Sequence, residues 1–572
     1  MASETSNFHF ILLPFLAQGH LIPMFDIARL LAQHGATATI VTTPVNAARF
    51  KTVLARALQC RLQIRLIEIQ FPWQEAGLPE GCENFDMLPS IDLAYNFLAS
   101  LQKLQLPFEN LFREQTPQPC CIISDMCMPW TVDTAAKFNV PRIIFHGFSC
   151  FCLLCLDILR VSKVHENVSS DSEYFKVPGF PHHIEFTKVQ LPISPPTDEL
   201  KEFDEKILAA DKKTYGVIIN TFEELESASV KEYKNAKQGK VWCIGPVSLC
   251  NKESLDKVER GNKAAIDIPE CLTWLDSQQP SSVVYVCLGS ICNLTSSQLI
   301  ELGLGLEASK KPFIWVSRVG NKLEELEKWL VEENFEERIK GRGLLIRGWA
   351  PQVMILSHPA VGGFLTHCGW NSSLEGISAG VQMLTWPLFT DQFCNEKLIV
   401  EVLRIGVSVG VEVPMKFGEE EKIGVLVKKE DVETAINILM DDGEERDGRR
   451  RRAKEFGELA KRALEEGGSS YNNIKFFIQD IMQQPTSEKT VTAGISLRRS
   501  RSPRIFPILE AAATSRVHPM LDLRAFSCEV ADEATVAVGL YRCKHNVPTG
   551  ISNNSTKATK PAYPLNLSIL KE

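Results

Sequence analysis

The stretch Thr366–Gly376, THCGWNSSLEG, sets a His, a Trp, an Asn, two adjacent Ser and a Glu between the apolar runs VGGFL and ISAGVQML. Where a strand runs into a helix, the first backbone N–H groups lack an intrahelical acceptor and the helix dipole is positive. Such a place suits an anion. Asn371 and Ser372 would stand at that helix start, with Ser372 Oγ as an added donor. His367, at the strand end, can donate to a phosphate oxygen, and Glu375, about one turn in, can accept from a hydroxyl. Phosphate and sugar hydroxyls are a plausible joint ligand. Plain helix capping by Asn or Ser, with Glu in the first turn, accounts for the same residues, and this segment alone leaves both readings open.

Three further places carry polar groups at strand ends. GWAPQ (Gly348–Gln352) follows LLIR; Trp349 reads either as core or, with Pro351 fixing the loop and Gln352 offering an amide, as a platform for a planar base. WPLFTDQ ends on Asp391–Gln392, a pair suited to adjacent sugar hydroxyls or to capping a solvated helix. In the first half, His20 follows FILLPF and Gly19, and Asp125 follows CIIS. A His after Gly is often a turn residue. An Asp at the same sheet edge would accept from its Nδ1–H and fix the tautomer.

These residues need a scaffold that brings strand ends together. HFILLPF, ATATIVTTP, CIISDM, RIIFHG and GVIIN read as buried strands, and LIPMFDIARLLAQHG has helical spacing and a Gly35 stop. The alternation points to a parallel sheet covered on both faces. The pattern weakens over the polar stretch from Val247 to Asp267, then restarts with SVVYVCLGS, PFIWVSR, LLIRGW, VGGFLTH and MLTWPL. The expected architecture is α/β, with two Rossmann-like αβα domains. Residues 1–247 form the first, 248–267 a linker and 268–484 the second, whose last helix packs back on the first. Residues 485–572 are richer in Lys and Arg than in Asp and Glu, include SLRRSRSPR, and lack periodicity. A disordered tail is expected there, and cutting after Gln484 should leave activity unchanged.

Bulk properties narrow the function. The chain has 572 residues, 44% of them hydrophobic and 23% charged, and a net charge of −8, which argues against nucleic acid as partner. The start MASETSNFHF lacks a basic n-region, and the most apolar window, Phe148–Leu156, is far short of a membrane span. Seventeen cysteines lie scattered through apolar segments. Neither Cys120–Cys121 nor Cys150, Cys152 and Cys155 has a partner pair at zinc spacing, so no metal site is assigned and buried free thiols are expected. The expected protein is cytosolic and monomeric.

The run from Trp349 to Gln392, WAPQVMILSHPAVGGFLTHCGWNSSLEGISAGVQMLTWPLFTDQ, closely resembles the signature box of plant secondary-product UDP-glycosyltransferases. The resemblance covers roughly Phe8 to Met482 and is nearest in style to the subgroup that glucosylates flavonoids, terpenoids, saponins and hormones. It implies a GT-B fold, two such domains facing a cleft, with the acceptor on the first and the UDP-sugar on the second. It also implies the roles. Trp349 would stack on uracil, with Ala350 holding the base edge through its backbone; Gln352 and Glu375 would take the ribose hydroxyls. His367, Asn371, Ser372 and Ser290 would hold the diphosphate, and Trp370, Asp391 and Gln392 would surround the sugar. A terminal Gln in the box goes with glucose in this family, so Gln392 favours UDP-glucose as co-substrate.

The same resemblance makes His20 the catalytic base and Asp125 its partner. A neutral imidazole is matched to taking a hydroxyl proton near pH 7. Single displacement at an α-linked UDP-sugar gives a β-glycoside with inversion. Charge on the leaving diphosphate would rest on the helix N-terminus, with no metal or other cofactor required. Of the sequons at Asn167, Asn371 and Asn553, the one at Asn371 must be silent in a working enzyme. A nicotinamide oxidoreductase is disfavoured, because FLAQGHLIP lacks G-x-G-x-x-G. A binding protein that holds a small molecule or glycoside without turning it over is the other class considered. Loops around Phe71–Leu93, Phe148–Leu156 and Val177–Leu191 are rich in Phe, Leu, Cys and Pro and suit a bulky or flat apolar acceptor.

Overall fold

The sheets arise from runs of apolar residues long enough for a strand and too short for a helix. A computed structural model describes residues 8–484, apart from 193–196, 292–293, 318–323 and 417–418. The expectations for residues 485–572, including the sequon at Asn553, lie outside the described residues. The first half contains β1 (His9–Leu13), β2 (Thr37–Thr42), β3 (Ile64–Glu68), β4 (Cys121–Asp125) and β5 (Arg142–His146). A small antiparallel hairpin of β6 (Phe175–Lys176) and β7 (Glu185–Phe186) precedes β8 (Gly216–Ile219) and β9 (Val241–Cys243). Every residue of β1, β2, β4 and β5 is buried, as strands covered on both faces must be.

The first sheet is parallel throughout, in the order β3-β2-β1-β4-β5-β8-β9. Strand order reverses beside β1, which pairs β2 on one side and β4 on the other, with Leu12 opposite Ile123. In open α/β sheets ligands bind beyond the carboxyl ends of the strands at this reversal. His20 follows β1, and Asp125 is the last residue of β4.

The second half repeats the plan with β10 (Val283–Cys287), β11 (Phe313–Ser317), β12 (Gly343–Arg347), β13 (Val361–Thr366), β14 (Gln382–Thr385) and β15 (Gly406–Ser408). All six run parallel in the order β12-β11-β10-β13-β14-β15. Here the order reverses between β10 and β13, where Cys287 pairs with Thr366. Ser290 follows β10 and His367 follows β13, so each sheet brings its polar residues to its own reversal point.

The chain then returns. Helix Ser469–Met482 buries Ile474, Phe477, Ile478 and Ile481 in the core of the first half. The Phe477 ring lies 5.5 Å from Phe10 and 5.2 Å from Trp242, and Asp480 accepts from Tyr215 Oη at 2.8 Å and Lys240 Nζ at 2.7 Å. Among the described residues no helix is long and apolar enough to cross a membrane. The described cysteines are free thiols, most of them buried.

Candidate active site

His20 is held on three sides. The helix that carries it, Gln18–Gln33, begins ahead of the expected Leu21, so His20 sits in its first turn. Its Nδ1 donates to Asp125 Oδ2 at 2.7 Å, and Asp125, fully buried, also accepts from the Cys127 amide at 3.0 Å. The Phe15 ring meets the imidazole edge-on with centroids 5.2 Å apart. Gly147, just beyond β5, lies so close that a Cβ there would stand 3.2 Å from His20 Cε1. Donation from Nδ1 leaves the lone pair on Nε2, where no described residue takes it. Burial pulls the His20 pKa down, but the charge and hydrogen bond of Asp125, with the charge of Asp391, outweigh it and raise it above the usual 6.5. The charge that acts on His20 thus includes one from the second half, Asp391.

The loops around the second reversal point close on His367. Gly289 (φ +81°) and Gly369 approach its ring so closely that a Cβ on either would stand 2.5 and 2.4 Å from Nε2. Burial lowers its pKa to about 4, so His367 is a neutral imidazole that can offer one N–H rather than a charge. Its Nδ1 is buried without a partner. Ser290, half-buried, adjoins Gly289 in the same turn.

Helix Trp370–Ala379 is capped by Gly369 and shows no side-chain cap. The capping alternative for Asn371 and Ser372 therefore fails, and the amides of the first turn keep no intrahelical acceptor. The side chains go elsewhere. Trp370 is buried and its Nε1 donates to the Asn220 carbonyl at 2.7 Å, so its ring is core and leaves only its backbone for a sugar. Asn371 Oδ1 accepts from Asn220 Nδ2 at 3.1 Å, and its Nδ2 donates to the Gly19 carbonyl. That carbonyl is available because Pro23, four residues on, has no N–H to offer it. Asn371 thus joins the two halves in addition to standing at the expected anion site.

The residues expected at the nucleoside form a connected set. Gln352 Nε2 donates to Glu375 Oε2 at 2.8 Å and to Ser372 Oγ at 3.2 Å, with Tyr285 Oη 3.5 Å from Gln352 Oε1. Glu375 Oε1 also accepts from Arg260 Nη1, and Arg260 Nε donates to Asp26 Oδ2 at 2.8 Å. Trp349 packs under Gly261, whose φ of +96° and lack of Cβ let the linker touch the indole. The Ala265 amide donates to the Trp349 carbonyl at 2.8 Å, and Ala350, buried, accepts from the Gln352 amide at 2.8 Å.

Asp391 and Gln392, expected at the sugar, are buried. Asp391 Oδ2 accepts from Asn395 Nδ2 at 2.7 Å and Oδ1 from Thr390 Oγ1 at 3.0 Å, and burial raises its pKa to about 6. Gln392 Oε1 accepts from the amides of Leu388 at 2.7 Å and Phe389 at 3.1 Å. Its orientation is fixed, and its NH₂ is turned into a dedicated donor.

Sequence reasoning passed over Arg260, Asp26 and Asn220. Asp26 left a trace, a carboxylate inside the apolar run LIPMFDIARLL, where a charge needs a partner. Arg260 left none, being one charge among many in a polar stretch.

Two parallel-sheet domains with their reversal points turned toward each other, a His–Asp pair on one and a nucleotide-suited helix start on the other, define a two-domain sugar-nucleotide transferase of GT-B type. Comparison with known proteins supplies the rest. A family described as glycosyltransferase, N-terminal domain, matches residues 7–249, and one described as UDP-glucoronosyl and UDP-glucosyl transferase matches residues 264–444. The chain is 58% identical over 489 residues to UDP-glycosyltransferase 73C6 of Arabidopsis thaliana, covering 84% of this chain and 99% of that one. Among solved structures, it resembles Glycyrrhiza uralensis UGT73P12 complexed with glycyrrhetinic acid 3-O-monoglucuronide (TM-score 0.79, 37% identity, 86% of this chain and 99% of that one). It also resembles Medicago truncatula UGT71G1 complexed with UDP-glucose (TM-score 0.67, 25% identity, 84% and 100%). The chain belongs to the plant UDP-glycosyltransferases, and its relatives at this level are members of the 73C group.

Proposed function

We propose that this enzyme moves glucose from UDP-glucose to a hydroxyl of a small apolar metabolite, with inversion and without a metal ion. The observation that carries the reading is the 2.7 Å Nδ1–Oδ2 bond between His20 and Asp125 at the reversal point of the first sheet, within electrostatic reach of Asp391 on the second.

The chemistry follows from the parts. With Nδ1–H on Asp125, His20 Nε2 accepts the acceptor's hydroxyl proton as oxygen attacks the anomeric carbon, and Asp125 stabilises the imidazolium. The new C–O bond forms on the face opposite the departing diphosphate, which gives the β-glucoside. Negative charge develops on the leaving phosphate. In this reading the first-turn amides of helix Trp370–Ala379 and the N–H of neutral His367 stabilise it, the task a metal performs elsewhere. Asp391 as acceptor and the Gln392 NH₂ as donor suit neighbouring equatorial hydroxyls and support glucose, in keeping with the donor bound by UGT71G1.

An apolar acceptor is supported by the rings around the base. Phe15 touches His20 and packs in turn against Phe85 (tilted, 5.9 Å) and edge-on against Phe97 (6.1 Å), with Phe71 beyond at 5.2 Å from Phe97. UGT73P12, which this chain resembles, is complexed with glycyrrhetinic acid 3-O-monoglucuronide. Incubation with UDP-glucose and a panel of phenolic and terpenoid alcohols, in EDTA, tests the reading by mass and by the anomeric NMR coupling. A hexose gain in the β configuration is expected. An α product, or transfer abolished by EDTA, would overturn the mechanism.

A further inference from the structure

Arg260 lies in the segment between the two sheets, yet its guanidinium is buried between Asp26 and Glu375. Asp26 is on the helix that carries His20, and Glu375 is on the helix whose N-terminus faces the diphosphate site. One side chain therefore ties the helix of the base to the helix of the donor.

The electrostatics call for it. Glu375 stands about one turn from an expected diphosphate, and a bare carboxylate there would repel the ligand it is meant to help hold. Two buried carboxylates, Asp26 and Glu375, would also repel each other without a cation between them. A guanidinium cannot lose its charge and reaches both carboxylates at once, which a lysine ammonium does less well. The neighbours fix it further. Gly261 packs on Trp349 and Ile22, and Asn262 accepts from Gln18 Nε2 at 3.2 Å, so the backbone on the far side of Arg260 is clamped to both halves. Glu375 keeps its orientation because Oε1 is held by Arg260 and Oε2 by Gln352, while each oxygen retains a lone pair for a hydroxyl.

We propose that Arg260 is a positioning residue for the donor, holding the Glu375 carboxylate aimed at the ribose while coupling it through Asp26 to the helix of the catalytic base. This rests on the reading of Glu375 as the ribose acceptor.

Calorimetric binding of UDP and of 2′-deoxy-UDP to the wild type, R260A, E375Q and the double variant tests it. A purely structural loss would weaken both nucleotides alike. Action through Glu375 should weaken UDP about tenfold in R260A, shrink the preference for UDP over 2′-deoxy-UDP, and leave the double variant no worse than E375Q. R260K, which keeps charge and stem, should fall between wild type and R260A, and it carries the test if R260A does not fold. Wild-type UDP affinity and preference in R260A, with E375Q weakened, would overturn the role of Arg260. Tighter UDP binding by R260A would also overturn it, by making the guanidinium a competitor of ribose. Unchanged UDP binding in E375Q would remove the ribose reading itself.

Discussion

Asn371 Nδ2 donates to the carbonyl of Gly19, the residue directly before His20. The helix meant to hold the leaving diphosphate thus touches the turn that carries the base, without an intervening element. The same amide accepts from Asn220, whose own carbonyl receives Trp370 Nε1. Base and donor sites are therefore set relative to each other by a few named hydrogen bonds across the cleft.

Asn220 is the hub of that contact. Besides its bonds to Asn371 and Trp370, its Oδ1 accepts from the Val247 amide at 2.9 Å. Asn220→Ala removes two side-chain bonds and should destabilise the protein by about 2 kcal/mol. It should also lower kcat more than it raises the KM for UDP-glucose. Thermal denaturation and steady-state kinetics on one preparation check both parts, and an unchanged kcat would show that the contact does not set the base.

Asp125→Asn keeps the shape but offers His20 an amide in place of a carboxylate. A rate loss of roughly 10²–10⁴-fold is expected. The pH profile gives a sharper readout. With His20 as the neutral base, kcat/KM should rise through a pKa above 6.5 in the wild type. Without the carboxylate the influence of burial prevails and the midpoint moves to lower pH. The stability linkage has the opposite sense. A raised folded pKa stabilises below the unfolded value, and that stabilisation is lost as pH rises through the folded pKa. Activity should thus appear as the stabilisation from this pair fades.

Asp391 should impose a second pH limit. Its pKa, raised to about 6 by burial, means that it gains a proton as the medium falls below that value and stops accepting from sugar hydroxyls. The KM for UDP-glucose should climb below about pH 6 in the wild type and be high and flat in Asp391→Asn. Affinity for UDP alone, which lacks the sugar, should change little across the same range.

Gly261→Ala is a test of the base platform. The added Cβ would stand 2.4 Å from Trp349 Cζ2 at a φ of +96°. Something must shift, at a cost of about 1–3 kcal/mol. The indole is the movable partner, so UDP binding should weaken while the His20-dependent pH profile stays in place. Wild-type UDP affinity in this variant would remove Trp349 from the donor site.

Much of this was legible in the sequence because parallel strands covered on both faces are written as unbroken apolar runs. β1, β2, β4, β5 and the central strands of the second sheet read that way, and the polar groups just beyond them mark the reversal points. Of the four edge strands only β12 was legible, as LLIRGW; β3 is only partly buried, and β9 and β15 have three residues each. The start of helix Gln18–Gln33 was placed late, at Leu21, because Gln18, Gly19 and His20 add nothing to the apolar spacing that marks the rest of the helix. Roles that depend on two distant segments, such as Arg260 between Asp26 and Glu375, have no local signature at all. Trp370 shows the same limit, since its place in the signature run marks the site while its ring belongs to the contact between the halves.

The central claim is that a base on the first domain acts on a donor held by the second. Single-turnover transfer from UDP-glucose, with EDTA present, should be measured in the wild type and in His20→Ala alongside UDP binding. A transfer rate lowered by roughly 10²–10⁴-fold in His20→Ala, with UDP affinity retained, is expected. A His20→Ala enzyme that transfers glucose at the wild-type rate would contradict it.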